Sequence, residues 1–193
     1  MRDNWVYHPG LFINSDIDIL LDFFHENYVF DTGKVSADLE EGIIDHDTRV
    51  CDIAWVGNKH GDAFLRNVLW DYIQNVNGKA FGFDIQHLEP LQYTVYNSNN
   101  LGNYKWHRDT AFLAPNMYDR KLTLVMQLSD SDEYEGGDLI LEDDFFVNKL
   151  VPAEMRARGS IFVFPSFIKH TVTPVTKGIR RSLVGWAEGP KFR

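Results

Sequence analysis

Trp106-His107-Arg108-Asp109 sets an imidazole and a carboxylate two residues apart. On an extended backbone both side chains would project to one face, because strand side chains alternate. Imidazole nitrogen with carboxylate oxygen is a mixed donor set that suits a borderline divalent ion such as Fe(II). A third ligand must come from elsewhere. His170 is the best candidate, since it opens the strand-like run His170-Thr171-Val172-Thr173-Pro174-Val175. Two histidines and one carboxylate occupy one triangular face of an octahedron and leave three positions open, as oxygenation chemistry at Fe(II) requires. A structural zinc site would instead be closed by four protein ligands. The triplet alone is a weak signal, and an isolated histidine is more often a hydrogen-bonded surface or core residue. Arg180 strengthens the pattern, ten residues after His170 and followed by Arg181-Ser182. A guanidinium binds a carboxylate through two parallel hydrogen bonds, so a dicarboxylate could be held by metal at one end and Arg180 at the other. Read alone, Arg180 is an ordinary surface cation.

These residues need a rigid frame. From about Leu88 onward, short runs rich in β-branched and aromatic residues alternate with Gly, Asn, Asp and Pro clusters. The runs predict strands over 91–96, 122–128, 138–142, 160–164, 170–174 and 181–187, with turns at 97–103, 130–137 and Lys177-Gly178. Before them, Asn14-Ser15-Asp16 precedes Ile17, Ile19, Leu20, Leu21, Phe23 and Phe24, which predicts a helix start. A second helix is expected over about 62–76, where Phe64, Leu65, Val68, Leu69, Tyr72, Ile73 and Val76 recur every three or four residues. Helices followed by six or more short strands predict a mainly β fold, an antiparallel sandwich or barrel with a helical buttress. No repeat or linker interrupts the chain. The expectation is one domain, with helical support over about 14–80 and a β core over about 88–187.

Composition narrows the classes. At 193 residues the chain can bury a core with a pocket, and its 27 aromatic residues suit a half-buried pleated surface. Nineteen Lys and Arg against 28 acids give a net charge of −9, which disfavours a nucleic-acid partner bound through phosphates. A single cysteine, Cys51, excludes an intrachain disulfide and points to a reducing compartment. No signal pattern opens the chain and no apolar run approaches a membrane span, so a cytoplasmic location without a membrane partner is expected.

The order His-x-Asp, distant His, then Arg ten residues on with Ser two beyond it resembles the 2-oxoglutarate/Fe(II) dioxygenase superfamily, specifically the prolyl 4-hydroxylase-like branch with its PKHD-type hydroxylases. The likeness covers about half the chain. It runs through Tyr93-Thr94-Val95-Tyr96, residues 102–109, 122–129, 134–139 and 159–166, and is strongest from His170 to Trp186. The resemblance implies a double-stranded β-helix, a jelly-roll variant. It implies Fe(II) on His107, Asp109 and His170, and 2-oxoglutarate held by Arg180, with Tyr96 and Ser182 in the co-substrate pocket. It places Tyr104 near the site and Trp186 on the pocket floor. O₂ is the second co-substrate, and ascorbate a candidate reductant. The implied reaction hydroxylates a prolyl residue of a peptide or protein and releases succinate and CO₂. Retention of Asp109 implies hydroxylation, since halogenating relatives carry a small residue there. Two departures stand out. The loop from Tyr96 to His107 is about two residues longer than in prolyl hydroxylases. Gln127 stands where some relatives contact 2-oxoglutarate through a tyrosine, and an amide could donate the same hydrogen bond.

Other features read more simply. Gly136-Gly137 suits a turn or bulge needing positive φ. Met126 and Leu128 read as core, Glu40-Glu41 and Asp143-Asp144 as solvated acidic faces, and Cys51 as inert. Arg49 and Trp55 are candidates for a substrate groove, with packing the more ordinary role. Two alternative functions remain. An oxidative nucleic-acid demethylase would share triad and fold but bind oligonucleotides in a salt-dependent way. A non-catalytic jelly-roll module could use Trp106, Tyr104 and Phe112 as an aromatic platform, and would keep its ligand after loss of His107.

Overall fold

The computed structural model describes residues 4–35, 43–57, 62–110, 118–142, 149–150 and 156–192. Phe112, Glu40-Glu41 and Asp143-Asp144 lie outside them. Two antiparallel sheets hold the described strands. The larger runs Val6–His8, Ile161–Pro165, Tyr118–Gln127, Val175–Pro190, Leu91–Asn97, Asp52–Val56, Asp31–Thr32, and His87–Leu88 and Tyr134–Gly136 also pair with the long Val175–Pro190 strand. The smaller runs Lys149–Leu150, Leu139–Leu141, His170–Val172, Asn103–His107, Arg49–Val50.

Strand alternation divides the large sheet into two faces. Leu122, Leu124 and Met126, with Leu91, Tyr93, Leu183 and Ala187, pack beneath two helices. Helix Asn14–Asn27 buries Ile17 and Phe24 there, and helix Ala63–Val76 buries Leu65, Leu69, Ile73 and Val76, an apolar stripe at helical spacing. The alternate residues face the small sheet. Ile53, Tyr96, Val125, Phe162 and Phe164 meet Leu139, Leu141 and Val172 in a second buried cluster between the sheets. The functional residues lie on this inner face.

The mainly β architecture and both helices agree with the pattern in the sequence, and several details differ, among them the short strand Tyr134–Gly136 inside the expected turn at 130–137. The expected strand at 181–187 spans Val175–Pro190, so Lys177-Gly178 is a bulged part of a strand rather than a turn. Gly178 sits at φ +69° against the Glu133 carbonyl, a conformation and a contact that exclude a side chain. Asn14 and Ser15 lie inside the first helix, whose first turn is tied by Asp16 accepting from the Ile13 N–H at 3.4 Å. Phe64 is 74% exposed, off the buried stripe of its helix. The N-terminal half is also more than helical support, since Asp31–Thr32, Arg49–Val50 and Asp52–Val56 extend both sheets.

Candidate metal and co-substrate site

Register brings the two histidines together. His107 ends Asn103–His107 directly opposite His170, the first residue of His170–Val172. Asp109 does not continue the strand, contrary to the extended reading of the triplet. It sits just beyond, where its N–H donates to the Ser166 carbonyl at 2.9 Å. That turn still delivers the carboxylate. Asp109 Oδ1 is 3.5 Å from His107 Nε2 and Oδ2 is 3.5 Å from His170 Nε2, and the three ligand atoms lie within 4.8 Å of one another.

Hydrogen bonds set each of these groups for metal. His107 Nδ1 lies 2.7 Å from the Lys105 carbonyl and His170 Nδ1 lies 3.0 Å from the Ile168 carbonyl. A carbonyl only accepts, so each Nδ1 carries the proton and each Nε2 presents its lone pair to the cluster. Burial pushes His170 down to about 4 against the pull of Asp109, so its ring is neutral at physiological pH. Burial raises the Asp109 carboxyl, while His170 and His107, in their protonated forms, pull it far below the usual range. Thr123 Oγ1 donates to Asp109 Oδ2 at 2.7 Å and lies 3.0 Å from Ser166 Oγ. Neutral nitrogen, ionised oxygen and fixed orientation are what a divalent ion needs.

Beside the cluster lies a cavity of about 450 Å³ that His107, Asp109 and His170 help to line. Arg180, Tyr96, Ser182, Tyr104, Trp186, Arg49 and Trp55, all proposed from sequence, line it too. Cross-strand pairing explains the grouping: Arg180 faces Tyr96, Ser182 faces Thr94 and Gln127, and Trp186 faces Thr123. Arg180 is 1% exposed, and its Nη2 donates to Gln127 Oε1 at 3.0 Å. Its Nε and Nη1 are buried without a partner among the described residues. Orphaned guanidinium donors beside a cavity fit the carboxylate of a bound ligand, because leaving them unmet is strongly unfavourable. Gln127 departs from expectation. It lies behind Arg180 as the acceptor of that bond and is not among the cavity-lining residues. Burial holds the Tyr96 phenol above its ordinary value, keeping it protonated next to Arg180.

Tyr104 stacks on His107 with centroids 3.5 Å apart. Trp106, offered as part of a platform, is 39% exposed and does not line the cavity. Sequence reasoning missed two contributors. Arg120 lies 3.9 Å from the Trp186 ring centroid and is gripped by both oxygens of Glu89 at 2.6 and 2.7 Å. Thr123 had a faint signal, the alternation that puts it on the same face as Val125 and Gln127.

A two-sheet sandwich with a His-Asp-His cluster at one end of its inner face defines a class, that of jelly-roll metal-dependent oxygenases. A family model of the 2OG-Fe(II) oxygenase superfamily matches residues 91–188, just over half the chain. The chain belongs to that superfamily. A PKHD-type hydroxylase of Synechococcus sp. is 33% identical over 97 residues, which is 50% of this chain and 41% of that protein. The chain thus spans well under two thirds of that curated relative. Two solved structures share the fold. A prolyl-4-hydroxylase of Pseudomonas putida superposes with TM-score 0.74 at 16% identity, covering 96% of this chain and 93% of that one. A prolyl hydroxylase from Trichoplax adhaerens, in complex with a hypoxia inducible factor peptide fragment, also gives 0.74, at 19% identity over 95% and 83%. Among the described residues no helix is long and apolar enough to cross a membrane.

Proposed function

We propose that the chain is an Fe(II)- and 2-oxoglutarate-dependent dioxygenase that hydroxylates a prolyl residue of a peptide or protein and releases succinate and CO₂. One observation carries this reading. The His107-Asp109-His170 cluster and the orphaned donors of Arg180 line the same cavity, so a dicarboxylate can meet both at once. Bound iron supplies the oxidation of substrate by O₂ with 2-oxoglutarate as electron source. The chain's own part is placement. His107 and His170 present Nε2, Asp109 stays ionised with Thr123 fixing its orientation, and Arg180 holds the distal carboxylate while Gln127 holds Arg180. Ser182 and Tyr96 complete that end of the cavity, and Trp186 with the clamped Arg120 forms a rigid wall at the substrate end. The prolyl choice draws support from the PKHD-type relatives and the prolyl hydroxylase neighbours.

The test is succinate release from 2-oxoglutarate with Fe(II) and ascorbate, alone and with prolyl peptides screened for a mass gain of one oxygen. A His107→Ala protein should lose both iron and turnover. Absence of succinate from folded, metal-loaded protein under every condition would overturn the proposal, while succinate without peptide oxidation would remove only the prolyl substrate.

A further inference from the structure

Among the described residues, Arg180 is not the sole buried guanidinium on this cavity without a carboxylate partner. Arg49 is 6% exposed and lines the same space. Its Nε donates to Cys51 Sγ at 2.9 Å, Nη1 to the Lys34 carbonyl at 3.1 Å and Nη2 to Gln92 Oε1 at 2.6 Å. Each acceptor is neutral, since burial pushes the Cys51 thiol up and keeps the sulfur protonated. Among the described residues no carboxylate pairs with Arg49, whereas Arg120 has Glu89. The three contacts use three of its five N–H donors. A buried cation without a partner charge is costly, so its retention beside a cavity points to an anion that arrives with a ligand. For Arg180 the co-substrate's distal carboxylate meets that need. Arg49 keeps two N–H donors beyond its three contacts, which a second anion could take.

The surroundings show a built seat. A Cβ on Gly33 would come within 2.9 Å of Arg49 Nε, so the backbone there lies directly against the guanidinium and limits where it can move. The guanidinium carbon lies 4.7 Å from the Tyr104 ring centroid, and Tyr104 itself stacks on His107. Arg49 is therefore one aromatic ring from the metal cluster, close enough for one substrate to touch both. Asp31 and Lys34, one of each charge, also line the cavity.

We infer that Arg49 is a subsite for a carboxylate on the substrate, so that the enzyme selects peptides bearing an acidic side chain next to the residue it oxidises. This rests on the oxygenase reading of the cavity and adds the substrate's charge to it. The test uses protein loaded with Ni(II) and saturated with N-oxalylglycine, which occupies Arg180 without turnover. N-acetylglutamate α-amide, its neutral isostere N-acetylglutamine amide, and N-acetylglutamine with a free α-carboxylate are titrated by calorimetry. The side-chain acid should bind about tenfold tighter than the amide, as a charge-assisted hydrogen bond implies, and this preference should shrink with salt. A stronger response to the free α-carboxylate would assign the site to a chain terminus and overturn the side-chain reading. Arg49→Met should abolish the preference and Arg49→Lys keep part of it, with melting curves confirming that both fold. Equal binding of acid and amide, binding of neither, or an unchanged preference in Arg49→Met overturns the inference. Failure of the oxygenase reading registers separately, as no uptake of N-oxalylglycine and no succinate.

Discussion

Gln127→Glu places a carboxylate where the wild-type amide oxygen accepts from Arg180. Donor and acceptor are 3.0 Å apart and both residues are buried, 1% and 3% exposed. Before co-substrate binds, the new carboxylate would pair with a guanidinium that now has only a neutral partner, so the ligand-free protein should melt at a higher temperature. Binding of 2-oxoglutarate should suffer. Its distal carboxylate would lose an uncompensated cation and meet a second anion about 6 Å away. At an effective dielectric constant of about 20 that repulsion is about 3 kcal/mol, roughly a hundredfold in affinity. Gln127→Leu removes one hydrogen bond to a charged group, about 1.5–3 kcal/mol at most, and leaves the cation available. The expected order of 2-oxoglutarate affinity is therefore wild type, then Gln127→Leu, then Gln127→Glu. Calorimetric titration of metal-loaded protein under nitrogen measures it without turnover. If Gln127→Glu binds within threefold of wild type, or more tightly than Gln127→Leu, the assignment of Arg180 as carboxylate anchor and Gln127 as its support fails.

Three further outcomes are expected. Thr123→Val keeps shape but removes the 2.7 Å donor to Asp109, and metal affinity should fall about 10–100-fold, read by competition with a chelating dye. Gly137→Ala forces a Cβ to within 2.9 Å of Arg180 Cδ at φ +63°. It should cost about 1–2 kcal/mol in a denaturant melt and raise the KM for 2-oxoglutarate severalfold at little change in kcat; an unchanged KM would show that Arg180 does not need that space. Glu188 is pushed up by burial and then by Glu89, so its folded-state pKa exceeds its unfolded value. Such a group adds stability below the unfolded pKa and loses it as pH rises through the folded one. Glu188→Gln should accordingly melt above wild type at pH 8, with the difference closing toward pH 4.

The site's main residues were readable in the sequence because each belongs to a long pattern. His170, Arg180, Ser182 and Trp186 stand at even separations along the chain, and the last three share one face of one strand, where period-two spacing maps directly onto space. What escaped reading depends on contacts between distant strands or on very short elements. Asp31–Thr32 and Arg49–Val50 are two residues each, too short for any periodicity, yet they carry one wall of the cavity. Gln127 lies on the expected strand with the expected facing, but whether its amide meets a ligand or an arginine is decided by the cross-strand register with Ser182. Arg120 owes its position to Glu89, thirty-one residues away and itself on no predicted element.

Gly137 shows why such residues matter beyond the count of contacts. As half of a Gly-Gly pair it reads as turn chemistry, and its φ of +63° agrees. In the fold that turn lies against the stem of Arg180, so one missing Cβ serves backbone conformation and arginine placement together. A side chain there would harm stability through φ and co-substrate binding through Arg180. Stability alone would also be lost at a turn remote from the site, so only the second effect, a raised KM with kcat retained, separates a glycine that shapes the site from one that merely closes a turn.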